Sequence, residues 1–214
     1  MPRPSWRGAL ACLLIAGCAF RVTAAGLGAD TSTPDALRAA AQTLQSKLEV
    51  LSGTVPETST SFRPIVITEQ EANAYLKYHA QEFLPPGVHE PTLHIMPDHV
   101  LGAAEIDFGE FSRAYPSPSD WGPKVLAAMF KGPQHVTAAG KVQSQAGRYT
   151  VKIETVAIGA TRLPDWVVEF LLENYIQPRY KLDLSKPQTL PDHVVRIQLG
   201  SGLATFIRSP QKRR

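Results

Sequence analysis

Three histidines fall at intervals of five in the stretch from His89 through His94 to His99, and Glu105 and Asp107 follow closely. Histidines that converge with a carboxylate or cysteine can hold a metal, and paired carboxylates in unlike surroundings can act as acid and base in glycoside cleavage. On a strand an odd interval sends successive side chains to opposite faces, so His89 and His94 should diverge. A turn at Pro97-Asp98 would bring His94 nearer His99, yet no cysteine or well-placed carboxylate completes a set. These read as solvated turn histidines. Glu105 and Asp107 share a face with Glu110 nearby, but it is the face the pattern assigns to water, and the acid of such a pair needs an apolar pocket. The run Gly200-Ser201-Gly202-Leu203-Ala204 lacks the spacing of a nucleophile elbow. Ala138-Ala139-Gly140-Lys141-Val142 imitates the end of a phosphate loop, but Gly132 is too far upstream and Val142 replaces the hydroxyl that must bind magnesium. The residues therefore predict no catalysis, no cofactor and no bound metal.

The remaining chemistry lies in Cys18. Residues 1–8 carry Arg3 and Arg7 without an acid, and Ala9 to Phe20 is apolar: an export signal, too short to span a bilayer as a stable helix. Cleavage after Ala24 would discard both cysteines. Alternatively, Ile15-Ala16-Gly17-Cys18 resembles a bacterial lipobox, which implies acylation of Cys18 and anchoring in a membrane. Either way the mature chain has no thiol pair to oxidise, so its core must hold it together.

Charge divides unevenly. Of 22 basic residues, seven (Arg3, Arg7, Arg21, Arg208, Lys212, Arg213 and Arg214) lie at the ends, leaving 15 against 19 acids, or −4 for the body. Nucleic-acid binding wants a basic face on the fold, so the balance argues against it. The Lys212-Arg213-Arg214 tail could touch anionic lipid, although such ends are ordinarily solvated.

The elements that must position any site are legible from caps and periodicity. Residues 25–33 are small and polar, a flexible leader. Thr33-Pro34-Asp35 starts a helix whose Leu37, Leu44, Leu48 and Leu51 form one stripe, closed by Gly53. Phe62 to Ile67 reads as a strand, and Thr68 with Glu71 is a capping box opening a helix to about Phe83. Hairpins are predicted over Thr92–Phe108, Gln134–Ile158 and His193–Arg208. A proline-rich insert, 109–133, separates the first two and holds a short helix over Val125–Phe130. Another helix, Asp165 to about Ile176, is apolar around most of its girth and should be wrapped on several sides. Leu84-Pro-Pro-Gly-Val88 is echoed by Leu190-Pro-Asp-His-Val194, each before a hairpin. A single α+β domain over 34–208 follows, with a basic tail at 209–214.

The order helix, strand, helix, hairpin, insert, hairpin, helix, hairpin, with Ile67-Thr-Glu-Gln-Glu-Ala-Asn-Ala-Tyr-Leu76 at the strand-to-helix entry, resembles small bacterial envelope lipoproteins of the tubular lipid-binding (TULIP-like) type. The resemblance implies a curved antiparallel sheet of three hairpins wrapped around one long apolar helix, with additional N-terminal helices. It also implies a periplasmic or outer-membrane location and binding of a lipid or acyl-type ligand without catalysis. The apolar residues that would line such a groove are Ile95, Val100, Ile106 and Phe108 from the first hairpin and Tyr149, Val151 and Ile153 from the second. The insert would add Leu126, Met129 and Phe130, and the helix Trp166, Phe170 and Tyr175. The same side chains could instead fill an ordinary core. The protein would then be an assembly protein that holds an envelope partner through a sheet edge or the 121–130 loop.

Overall fold

Thr33 begins the first helix, α1 (Pro34–Leu51), by accepting a hydrogen bond from the Ala36 amide at 3.3 Å, with Pro34 in the first turn. The computed structural model describes residues 33–53, 62–79, 82–114, 128–173, 177, 186–191 and 193–209. Cys18 and the export signal, Leu126, Tyr175 and the Lys212–Arg214 tail lie outside the described residues. Strand β1 (Ile65–Thr68) leads into α2 (Glu69–His79). The capping box forms: the Glu71 amide donates to Thr68 Oγ1 at 3.2 Å, and the Thr68 amide to Glu71 Oε2 at 2.9 Å. Lys47 of α1 adds a clamp, its Nζ donating to both Glu71 carboxylate oxygens (2.6 and 2.8 Å) and to the Val66 carbonyl (2.6 Å).

The expected hairpins are present as β2 (Val88–Met96) with β3 (His99–Asp107), β4 (Pro133–Gln145) with β5 (Arg148–Ile158), and β8 (Val194–Gly200) with β9 (Leu203–Arg208). The short strands β6 (Thr161–Arg162) and β7 (Gln188–Thr189) both pair with β5. Two further helices, α3 (Phe108–Ala114) and α4 (Asp165–Leu171), complete an α+β fold whose strands all pair antiparallel.

Several expectations need correction. The three hairpins do not make one wrapped sheet. Strands β2 to β6 form an open sheet in sequence order, with β7 also on β5, while the last hairpin pairs with β1 in a separate sheet of order β1-β9-β8. The small sheet joins the large one at the β4–β5 tip, where the Gly147 amide donates to the Val195 carbonyl and the Ile197 amide to Ser144 Oγ. The strand at Phe62 starts only at Ile65, after Pro64, which has no amide to give a ladder. Phe108 is the first residue of α3 rather than the last of a strand, because Asp107 Oδ1 accepts the Glu110 amide at 2.9 Å and starts a helix inside the insert.

The long wrapped helix is also revised. Within the described residues the regular helix covers Asp165–Leu171, has no buried residue, and leaves Trp166 60% exposed. It lies on one side of a small cluster through Val167, Val168 and Leu171. The N-terminal helices take the central place instead. Leu44, Leu48 and Leu51 of α1 and Ala72 and Leu76 of α2 pack with residues of both sheets in the main core.

The two echoed turns match in geometry. The Val88 amide bonds the Pro85 carbonyl and the Val194 amide bonds the Pro191 carbonyl, with positive φ at Gly87 (85°) and His193 (67°). Positive φ at the third turn position is the mark of a type II turn.

Candidate functional site

The apolar residues nominated for a ligand groove divide at one point in the sheet. The β4–β5 register runs Gly140 opposite Ile153 and then Ala139 opposite Thr155, leaving Glu154 as an extra, bulged residue. A one-residue insertion reverses which side chains face inward. Before the bulge Tyr149, Val151 and Ile153 point to the core; after it Val156 and Ile158 do. The simple alternation visible at Tyr149–Ile153 gave no sign of this reversal.

On the near side of the bulge the apolar face is filled by the protein itself. Ile95, Val100, Tyr149 and Val151 are buried, none more than 4% exposed, and Ile153 packs at their edge. Helix α1 supplies the covering leucines.

On the far side the face is less complete. Phe108, Ile158 and Leu163 are buried, and Ile106, Phe130, Val136, Val156 and the inner residues of α4 are only partly so. The Phe108 and Phe130 rings lie 6.1 Å apart, tilted by 44°. Phe170 is half-buried, and Met129 (69% exposed) and Trp166 stand in solvent. Of the nominated residues that are described, the structure thus brings Ile106, Phe108 and Phe130 together beneath α4, sends Ile95, Val100, Tyr149, Val151 and Ile153 to the main core, and leaves Met129 and Trp166 at the surface.

A different concavity, a cleft of about 1120 Å³, opens between α2, the outer edge of β2 and the tip of the last hairpin. Its wall explains the Glu69–Asn73 spacing, which sequence reasoning had read only as a helix entry. Asn73 Nδ2 donates to the Leu93 carbonyl at 2.8 Å, and its Oδ1 accepts the Leu93 amide at 2.7 Å. Glu69 Oε2 accepts the Ile95 amide at 2.7 Å, and the Gly202 amide donates to the Ile95 carbonyl at 2.8 Å. One turn of helix places these two side chains along the strand, where they pair its outward backbone groups as a neighbouring strand would. The edge is closed further out by Pro91 and by a register break between His89 and Thr92. Edge-to-edge docking on β2 is therefore blocked over Leu93–Ile95.

The polar candidates are engaged in surface pairs. His94 Nδ1 meets Glu69 at 2.9 Å, His135 Nδ1 meets Glu105 at 3.0 Å across β3 and β4, and His99 Nε2 meets the bulged Glu154 at 3.3 Å. His89 Nε2 lies 3.3 Å from Glu110. Asp107 serves as the helix start described above. Among the described residues no group of three histidine, cysteine or acidic side chains is placed to hold a metal, and no helix is long and apolar enough to cross a membrane.

No protein-family model matches this chain, and no curated protein matches it.

Proposed function

We propose that this is an exported, non-catalytic cell-envelope protein that binds a lipid or other acyl-type ligand beyond the bulge, under α4. The observation that carries this reading is the contrast between the two halves of one sheet face. The near half is sealed by α1. The far half keeps Ile106, Val136 and Val156 partly exposed beside Phe130 and the apolar side of α4. Apolar surface of this kind gains about 25 cal/mol per Å² when a ligand covers it, before the costs of ordering. The proposal keeps the TULIP-like theme of an acyl chain between sheet and helix, with the ligand moved to the short helix and one end of the sheet. Export and acylation of Cys18 belong to the same reading, supported by the basic start, the apolar run and the lipobox-like residues.

Organic extraction of the natively purified protein followed by mass spectrometry should recover acyl lipid. Val136→Ser and Val156→Ser together should reduce the amount recovered while leaving the fold intact. An extract free of lipid, with no uptake of a fluorescent fatty-acid probe, would overturn the reading. A mature protein carrying acyl groups on Cys18 would establish the anchor, and one starting at Ala25 would exclude it.

The filled main core favours a second reading, an assembly protein with no ligand. With the Leu93–Ile95 edge stapled, its partner would be held through the 121–130 loop, of which Met129 is exposed. Loss of a co-purifying partner on deleting 121–130, with no lipid found, would select this alternative.

A further inference from the structure

The interval of five between His89 and His94 predicts opposite faces, but the register break between His89 and Thr92 removes that offset. His89 lies opposite Glu105 and His94 opposite Leu101, an even step along β3, so both histidines share the outer face of the large sheet, away from the core. Glu105 in turn lies opposite His135 on β4. A histidine, a glutamate and a histidine therefore stand in a row across β2, β3 and β4. Directly opposed residues have their Cβ atoms about 4.5–5.5 Å apart, so both rings are neighbours of the central carboxylate.

Glu110, in the first turn of α3, completes the group. His89 Nε2 lies 3.3 Å from Glu110 Oε2, and His135 Nδ1 lies 3.0 Å from Glu105 Oε1. As placed these are two separate pairs, and no three of the four groups converge. Turning the His89 ring toward Glu105 joins the pairs without moving the strands, because the two residues already oppose each other in the ladder. The separations within the pairs suit a shared ion: two ligands about 2.0–2.1 Å from a tetrahedral zinc lie roughly 3.3 Å from each other. All four side chains are half-exposed, which gives an ion access. Beyond His135 the chain turns at Gly159, whose amide bonds the His135 carbonyl and where a Cβ would meet nothing within 4 Å.

The other surface pairs lack these neighbours. His99 lies opposite Lys141, a cation that would oppose a metal, and Glu69 beside His94 already accepts the Ile95 amide. Near the row, Thr137 follows His135 by two residues on the same face, and its buried Oγ1 has no hydrogen-bond partner. A hydroxyl diagonal to Glu105 is placed to orient that carboxylate, as outer partners do in metal sites.

We propose that His89, Glu105, Glu110 and His135 bind a divalent transition-metal ion, zinc by preference, on the outer face of β2, β3 and β4. Two imidazoles and two carboxylates form a mixed nitrogen and oxygen set that suits zinc, whereas magnesium and calcium take oxygen ligands. An ion held there ties three strands to the start of α3. The site uses the face opposite Ile106 and Val136, so it holds whether or not the far cluster takes an acyl ligand.

The probe is zinc alone, titrated into the full chain carrying C12S and C18S so that no thiol competes, with a chromophoric chelator reporting free metal. A single zinc per chain should bind in the micromolar range or tighter, and magnesium should not displace it. Losing an outer partner typically weakens a metal site about 10–100-fold, so T137V should cost about tenfold and H89A, E105Q and H135A at least as much each. H99A should bind zinc as the parent chain does. Far-UV circular dichroism confirms the fold of each variant. Bound zinc should also raise the thermal midpoint of the parent chain, a measurement that needs no ligand substitution. Absence of zinc binding, undiminished affinity in an H89A/H135A double variant, or an equal loss in H99A would each overturn the proposal.

Discussion

Asn73 shows how much one side chain can do at a sheet edge. Its amide satisfies both backbone groups of Leu93 from the flank of a helix, a task usually given to another strand. Asn73→Ala would leave a part-buried amide and carbonyl without their partner. The expected cost is about 1–3 kcal/mol, read as a lower urea midpoint with an unchanged slope. Asn73→Asp keeps an acceptor for the Leu93 amide but turns a negative charge on the Leu93 carbonyl, so it should not restore stability. If the alanine variant unfolds at the wild-type midpoint, the staple contributes nothing. The capping box beside it was legible in Thr68 and Glu71 because capping is local. The staple was not, because the position of β2 relative to α2 is set by the whole fold.

At the scale of elements, the bulge at Glu154 decides which part of the sheet is core and which part remains open. Removing the side chain alone should matter little: Glu154→Ala loses a half-exposed pair with His99, and exposed ion pairs contribute about 0–1 kcal/mol. Deleting Glu154 should also keep the inner face. The ladder closes with Ile153 on Gly140 and Thr155 on Ala139, so Val156 and Ile158 stay inward and only the local bend is lost. A cooperative thermal transition close to that of Glu154→Ala is the expected result. Loss of cooperativity in the deletion variant alone would mean that the bend itself is needed.

For the whole molecule, stability should follow the N-terminal helix rather than the helix richest in apolar residues. Leu48 is 4% exposed and sits in the main core, so Leu48→Ala should cost about 2–5 kcal/mol. Trp166 stands largely in solvent, and Trp166→Ser should change stability by less than about 0.5 kcal/mol. Chemical denaturation of both variants measures the contrast, and a reversed order would return α4 to the centre of the fold.

Local chemistry determined much of this protein in advance. Caps at Thr33 and Thr68, the leucine stripe of α1 and three hairpins are properties of short segments, and each is found close to where its residues predict it. Asp107 and Glu110 held the same kind of helix-start signal for α3, hidden among prolines and glycines. Tertiary structure alone decided what those segments enclose. Apolar composition says that a helix such as Asp165–Leu171 can bury surface, but not whether a competitor has already occupied the place. Here α1 and α2 cover the near half of the sheet, one bulged residue turns the far half over, and the last hairpin leaves to pair with β1. Each of those outcomes depends on contacts between residues distant in sequence, and for that reason no spacing within a single segment could announce them.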